Sequence, residues 1–253
     1  PQRPVVEACL EALARLTPPV AEPWRQAALA LVDGDWDRVA QGEEAAADLL
    51  LELLARPGRD PRDLERRSQA ATLLGRFGDP RAEAPLLELL ATEEPTLQAA
   101  AAESLGRLGS HRARPALLSL TTAPALAVRA AALEALGRIG DATDLPRLEQ
   151  ALEPAGPPEI HRAVLRGLPG LGPAALALLD EQRRAATDPE LRRLAAQGIG
   201  RLGLAAGIEP LAALAEDDPA PEVRQEAILA LAALGWTPVE SKLQLRRLLT
   251  ALH

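Results

Sequence analysis

One pentapeptide recurs along this chain and constrains its fold more than any other feature. It always ends in glycine, and it reads LGRFG at 74–78, LGRLG at 105–109, LGRIG at 136–140, LPGLG at 168–172, IGRLG at 199–203 and LAALG at 231–235. Successive copies begin 31 or 32 residues apart. A fixed period of this length is typical of proteins built from stacked repeats. We therefore predict a repeat protein in which each unit packs mainly against its neighbours.

Each repeat contains two stretches with helical spacing of apolar residues. We predict first helices near 43–55, 80–92, 111–121, 142–152, 173–186 and 205–216, and second helices near 62–76, 96–107, 125–138, 158–168, 189–202 and 220–234. The second helices align when they are counted from Leu97, Val128, Ile160, Leu191 and Val223 as position zero. Positions 0, 4, 8 and 11 then form one apolar stripe, which is wide enough to be buried against neighbouring helices.

Two small-residue positions accompany this stripe. Position seven of the second helix is Ser104, Ala135, Gly167, Gly198 or Ala230 in the five aligned copies. Small side chains there allow adjacent helices to approach closely. The glycine that ends each pentapeptide follows the second helix directly, where a residue often adopts positive φ, and glycine adopts that conformation with little strain.

The flanking residues predict caps on the repeat array. We expect an N-terminal helical cap at 1–41, the array at 42–235 and a C-terminal capping helix at 236–253, all in one continuous domain. Trp36 is expected to cover the exposed end of the core, since a terminal repeat has an apolar face without a neighbour. Cys9 lies on the apolar stripe of the first helix and is interpreted as a buried structural thiol.

Composition argues against several classes of function. The chain has 28 Lys and Arg against 36 Asp and Glu, a net charge of -8, which disfavours sequence-independent binding of nucleic acid. Its single cysteine excludes a disulfide framework and a multi-cysteine zinc site. Neither a signal-peptide pattern nor an apolar run of transmembrane length is present, so we expect a cytoplasmic protein without a membrane partner.

Catalytic and cofactor motifs are not apparent either. His111, His161 and His253 have no second histidine or cysteine at ligand spacing, so we predict no metal and no other cofactor. The stretch GIGRLG at 198–203 matches the dinucleotide pattern GxGxxG, but it ends a predicted helix instead of opening one after a strand. With neither a nucleophile elbow nor a Walker loop in the sequence, we predict that the chain is not an enzyme.

Beyond this periodicity, a longer motif resembles a known family. Its elements are Pro-x-Leu in the first helix, then acidic-Pro-x-x-Val-Arg, then Ala-x-x-Ala-Leu-Gly-x-Ile-Gly. They occur at 85–87, at 115–117 with 128–140, and at 218–235. The chain thus resembles the HEAT-repeat superfamily, and within it the short bacterial phycobilisome-lyase-type HEAT-like repeats. The resemblance implies an all-α fold, a right-handed α-solenoid of about six helix pairs with helical caps.

The same resemblance implies an adaptor or scaffold that binds protein. In such proteins the second helices line a concave face, and the Val-Arg arginines bond aspartates of the turns. That pattern implies pairing of Arg192 with Asp188, and of Arg224 with Asp217 or Asp218. We interpret these pairs as structural.

Positions two and six of the second helices give the candidate binding residues. These residues are Glu103, Glu134, Arg162, Arg166, Arg193 and Gln197. We predict that they bind a protein or peptide partner, with an acidic segment near the three arginines, because guanidinium forks suit carboxylates. The alternative at this stage is a solvated face on which the arginines cluster without function.

Two further hypotheses stay open from the sequence. One is a nucleic-acid binder or base-excision protein resembling the HEAT-like glycosylases, which use a basic groove with aromatic residues. The aromatic residues here, Trp24, Trp36, Phe77 and Trp236, are predicted at the ends of the array or at a corner, not in mid-groove. The other is a bilin lyase-like chaperone, which only the subfamily resemblance suggests.

Overall fold

A computed structural model of the protein describes residues 22–55 and 61–236. All regular structure in these two ranges is helical, which confirms the predicted all-α class. The α-helices are α1 (Glu22–Asp33), α2 (Trp36–Gln41), α3 (Glu43–Ala55), α4 (Pro61–Phe77), α5 (Glu83–Leu90), α6 (Pro95–Arg107), α7 (Arg114–Leu120), α8 (Leu126–Ile139), α9 (Leu145–Gln150), α10 (Pro158–Gly167), α11 (Leu176–Ala185), α12 (Pro189–Leu202), α13 (Ile208–Asp217) and α14 (Pro221–Ala233).

The chain forms two compact units, one ending at Ala113 and the other beginning at Arg114. In the first unit, α3 packs on α4 and α5 packs on α6, and the second helices α4 and α6 pack on each other. In the second unit the second helices α8, α10, α12 and α14 pack in sequence, each on the next. Both units are therefore stacks of helix pairs, as the solenoid prediction requires.

The first helix of most repeats begins with a short 3-10 segment that the periodicity did not predict. These segments are Pro80–Ala82, His111–Ala113, Ala142–Asp144 and Ala205–Gly207, together with residues 173–175 of Leu168–Ala175, whose first part precedes the corner Gly172 and continues α10. Asp79 and Asp141 each follow a corner glycine and cap such a segment, accepting from the amides of Arg81 and Thr143 at 2.9 Å. The tight 3-10 geometry lets the chain reverse within a few residues of the glycine.

The corner glycines have the predicted backbone conformation. The last glycine of every pentapeptide copy has φ between 61° and 83°. A residue with a Cβ is strained in this left-handed region, so the repeated glycine is explained by the turn itself.

The predicted apolar stripe forms the core of each unit. In α8, Val128, Ala132 and Leu136 are fully buried, and positions zero, four and eight of the other four aligned copies are buried as well. Position eleven is only half-buried in three copies, at Leu108, Leu202 and Leu234. Position seven permits the close approach that we predicted. A Cβ on Gly167 would stand 2.6 Å from the carbonyl oxygen of Glu134 on α8. The backbones of α8 and α10 are therefore nearly in contact at this point.

Position one of the second helices closes the turn that precedes each helix. Arg129 donates from Nη1 to the carbonyl oxygens of Ala123 at 2.7 Å and Pro124 at 3.0 Å. In the next repeat His161 has the same role, with Nε2 2.9 Å from the carbonyl oxygen of Glu153. Since a carbonyl only accepts, His161 Nε2 carries the proton. This buried histidine is thus a structural substitute for the repeat arginine.

One of the aspartate pairings implied by the family resemblance is wrong. Arg192 donates two hydrogen bonds to the Asp218 carboxylate, from Nε at 2.7 Å and Nη2 at 2.9 Å. Asp188 instead caps α12 by accepting from the amide of Glu190. Arg192 therefore links its own repeat to the next one. Arg224 donates to the main-chain oxygen of Asp218 at 2.9 Å.

Some predictions fall outside the described ranges. Cys9, most of the N-terminal cap and almost all of the predicted C-terminal capping helix lie there, so these assignments stay predictions. Within the described ranges, one stretch, 158–185, is long and apolar enough to be considered as a membrane span. It is not one straight helix, because Gly172 interrupts it with φ of 61°, and half of its apolar window is buried inside the protein.

Candidate functional site

Polar side chains, most of them charged, of the second helices α8, α10, α12 and α14 form one surface of the second unit. We call it the B-helix face, after the second, or B, helix of each repeat. It consists of Glu134, Arg138, Glu159, Arg162, Arg166, Glu190, Arg193, Gln197 and Glu226. Each residue lies on the second helix of its repeat, and the packing of these helices on one another brings them onto one surface. The charges of this face interact both within helices and between neighbouring helices.

Glu134 joins α8 to α10. Its Oε1 accepts from Arg138 Nη2 at 2.5 Å, and its Oε2 lies 3.5 Å from Arg166 Nη1. The Glu134 side chain is only 11% exposed, so its charge is largely removed from water. A buried carboxylate requires such partners, since an unpaired one is strongly destabilising. Both carboxylate oxygens of Glu134 therefore have an arginine partner, Arg138 for one and Arg166 for the other.

Arg193 is the most firmly held arginine of the three that the sequence singled out. It forms a two-pronged contact with Glu190, with Nε and Nη2 each 2.8 Å from a carboxylate oxygen, and Nη1 reaches Glu226 on α14 at 3.2 Å. The hydrogen bond with Glu190 is the largest cause that raises the pKa of Arg193. This arginine has little capacity left for another partner.

Glu190 stands within the field of all three arginines. Its pKa is lowered, chiefly by the hydrogen bond from Arg193 and further by the positive charges of Arg166 and Arg162. The charges of α10 and α12 are thus close enough to act on one another. The arginine cluster as a binding site stays a prediction.

Arg162 and Arg166 are held much more loosely than Arg193. Within the part of the chain that the structure describes, Arg162 makes a single ion pair with Glu159, and Arg166 a single one with Glu134, both at 3.5 Å. Their side chains are 30% and 46% exposed. A long ion pair of a partly exposed arginine contributes little to stability. Arg162 can therefore exchange Glu159 for an external carboxylate at small cost, and Arg166 can bind a second, external carboxylate while it stays beside Glu134.

The six predicted site residues are divided between the two units. Glu103 lies on α6 of the first unit, where it accepts from Arg107 at 2.5 Å. The other five lie on the B-helix face, with Gln197 half-buried one turn beyond Arg193 on α12. Their role in binding a partner stays a prediction.

Sequence reasoning missed three carboxylates of this face. Glu159, Glu190 and Glu226 are at positions −1, −1 and 3 of their helices, outside the two positions used for the prediction. The structure shows acidic and basic side chains side by side where the sequence indicated a patch of arginines. A signal was present, because Glu159 and Glu190 precede Arg162 and Arg193 by three residues, a spacing at which helical side chains meet.

The first unit has a pocket of its own, of about 620 Å³, lined in part by Asp48, Phe77, Asp79 and Arg81. Arg81 donates from Nε and Nη2 to Asp79 and from Nη1 to Asp48 at 2.7 Å. The hydrogen bond from Arg81 is the main cause that lowers the pKa of Asp79. The charges of this pocket therefore neutralise one another. Over residues 22–55 and 61–236 the side chains also form no group suited to a metal ion.

Comparison with known families assigns the repeats. The sequence profile of HEAT repeats matches residues 59–126, 83–169 and 173–252, which together include well over half of the chain. The chain belongs to the HEAT-repeat family. This assignment explains the helix pairs, the corner glycines and the turn-closing arginines as features of one repeat. No curated protein sequence matches the chain significantly.

Two solved structures resemble this HEAT-repeat chain over most of its length. One is the complex of CpcE and CpcF of phycocyanin lyase from Nostoc sp. PCC7120, with 26% identity, a TM-score of 0.58, and coverage of 92% of this chain and 90% of that one. The other is an engineered protein, with 20% identity, a TM-score of 0.50, and coverage of 96% and 71%. The second likeness supports the fold alone.

Proposed function

We propose that this HEAT-repeat chain is a cytoplasmic, non-enzymatic adaptor that binds an acidic segment of a partner protein on the B-helix face. The observation that carries the proposal is the state of Arg162 and Arg166. Both are partly exposed on α10, and each has one ion pair, at 3.5 Å, with the residues that the structure describes. An arginine fork forms its strongest hydrogen bonds with carboxylates. An incoming acidic segment can therefore gain contacts that Glu159 and Glu134 supply only weakly.

Two general arguments support an adaptor. HEAT repeats build extended surfaces and serve mainly in protein interaction, and the similar phycocyanin lyase structure is itself a complex of two proteins. The mixed charges of the B-helix face favour protein over nucleic acid. Nucleic-acid affinity requires an excess of positive charge to neutralise phosphates, whereas each arginine of this face has a carboxylate beside it.

We expect the double substitution Arg162→Glu and Arg166→Glu to weaken binding of the partner by roughly tenfold or more, because it replaces two attractive charges with two repulsive ones. The partner is first captured with the unaltered chain and identified. Its dissociation constant is then measured by isothermal titration calorimetry for both forms of the chain.

A matched control has the same change in charge at another surface. Arg147 on α9 and Arg184 on α11 are exposed, and both lie on first helices, outside the B-helix face. The double variant Arg147→Glu and Arg184→Glu should bind the partner as the unaltered chain does. Equal weakening by both double variants would indicate a general effect of net charge and would contradict the proposal. Circular dichroism verifies that each variant is folded.

A second candidate, a bilin lyase-like chaperone, has one observation in its favour. The CpcE–CpcF structure of phycocyanin lyase is 26% identical over 92% of this chain. If the chain binds a bilin, mixing the two will shift and sharpen the visible absorption of the pigment, because a protein pocket restricts its conformations. An unchanged spectrum at excess protein would exclude this function and leave the adaptor proposal intact.

A further inference from the structure

Position six of the second helices forms a row across the second unit. The row consists of Glu134 on α8, Arg166 on α10, Gln197 on α12 and Leu229 on α14. The four helices pack in this order, and an ion pair joins the first two members of the row, Glu134 and Arg166. The row therefore runs across the helices, with one side chain contributed by each.

The chemistry of the row changes from one end to the other. Arg166 is a loosely paired cation and Gln197 is a half-buried amide. Leu229 is 58% exposed, and among residues 22–55 and 61–236 it is the one large hydrophobic residue with an exposed side chain. A partner that follows the row meets a cation, then a hydrogen-bonding group, then an aliphatic side chain. Its own complementary groups must follow the same order.

The spacing of the row selects the conformation of the partner. Packed helices lie about 8–10 Å apart. An α-helix rises about 10.5 Å in seven residues, which is close to two turns and returns the side chain to the same face. An extended strand advances about 10 Å in three residues, but side chains three residues apart on a strand point to opposite faces. A helix can present successive groups to this row, and a strand cannot.

We infer that the partner segment is an amphipathic α-helix that lies along the row. It carries an Asp or Glu opposite Arg166, a polar residue about seven positions along opposite Gln197, and an aliphatic residue about seven further opposite Leu229. The inference rests on the proposed function and adds the conformation, register and direction of the partner. Charge complementarity at Arg166 and apolar contact at Leu229 fix its direction.

Photo-crosslinking measures the register directly. A photoreactive phenylalanine analogue replaces Gln197 in one variant and Leu229 in another, and Arg166 is kept in both. Each variant is irradiated with the partner identified above, and the linked residues are located by mass spectrometry. We expect both crosslinks in one helical segment, about seven residues apart, with a carboxylate about seven residues from the Gln197 crosslink on the side away from the Leu229 crosslink. The same analogue at Glu209, exposed on α13, should give no crosslink.

The outcomes separate this inference from the proposed function. Crosslinks in two different segments, or in one segment but two to four residues apart, overturn the helix while the arginine result still supports the adaptor. A third outcome is a partner that gives no crosslink at either position and yet fails to bind the Arg162→Glu and Arg166→Glu variant. That result likewise overturns the helix and still supports the adaptor. A partner that binds equally well after Arg162→Glu and Arg166→Glu overturns the proposed function, and the inference is lost with it.

Discussion

Replacing Gly167 with alanine will destabilise the second unit by about 2 kcal/mol, a value typical of overpacking in a close-packed interior. The new Cβ would stand 2.6 Å from the carbonyl oxygen of Glu134 and 3.1 Å from its Cα. Both are backbone atoms of α8, so relief requires the two helices to separate. Separation would loosen the buried core cluster to which Val164 of α10 and Leu133 of α8 both belong. Urea unfolding followed by circular dichroism measures the effect.

Gly198→Ala provides the matched control. Gly198 is at the same position seven, one repeat later, but its Cβ would meet the terminal carbons of Leu179, at 2.9 and 3.2 Å. The end of a leucine side chain can rotate away, and alanine favours a helix over glycine by about 1 kcal/mol. We expect Gly198→Ala to change the free energy of unfolding by less than about 1 kcal/mol. If both substitutions destabilise equally, contact with the backbone is not what requires glycine at 167.

These two glycines also show what periodicity can and cannot predict. The alignment of second helices predicts that position seven is small and that helices approach there. It does not distinguish a glycine that faces backbone from one that faces a side chain, because that depends on the neighbouring repeat. The fold class and the bounds of the second helices follow from spacing within one repeat, and they were therefore predictable. The α-helical part of most first helices begins three residues later than predicted, because a 3-10 segment precedes it.

The candidate site was less predictable for the same reason. Positions two and six identified Arg162, Arg166 and Arg193, and the positive charges of all three contribute to the lowered pKa of Glu190. The ion pairs that decide which arginine is available join different helices, as Arg193 and Glu226 do. Sequence periodicity contains no information on such pairings. The family resemblance implied Asp188 as the acceptor for Arg192, whereas the acceptor is Asp218, 26 residues after Arg192.

Asp218 is the residue whose loss should most weaken the contact between the last two repeats. Its side chain is 3% exposed, and it accepts two hydrogen bonds from Arg192 and one from the amide of Ala220 at 2.9 Å. Burial has the largest single effect on its pKa and acts to raise it. The hydrogen bonds from Arg192 and Ala220, aided by the positive charge of Arg192, outweigh burial, so the pKa of Asp218 lies below its usual value. The folded protein thus stabilises the ionised form.

We expect Asp218→Ala to lower the free energy of unfolding by about 2–3 kcal/mol at neutral pH, because it leaves a largely buried guanidinium and an amide without their acceptor. We expect a smaller loss of stability than for a fully broken buried ion pair, because Arg192 keeps its hydrogen bonds to the carbonyl oxygens of Ala186 and Thr187. Urea unfolding measures the difference.

Asp217→Ala is the control, since Asp217 is exposed at the end of α13, where a negative charge opposes the helix dipole. It should leave stability unchanged or slightly higher.

The pH dependence tests whether the ionised carboxylate is responsible. A carboxyl group whose pKa is lower in the folded than in the unfolded protein contributes its full stabilisation above the unfolded value of about 3.9 and loses it as pH falls through the lower folded value. The stability difference between the unaltered chain and Asp218→Ala should therefore be constant above about pH 5 and should narrow below about pH 4. A difference that persists undiminished at pH 2.5 would mean that Asp218 acts through packing, and the ion pair with Arg192 would not be what joins the two repeats.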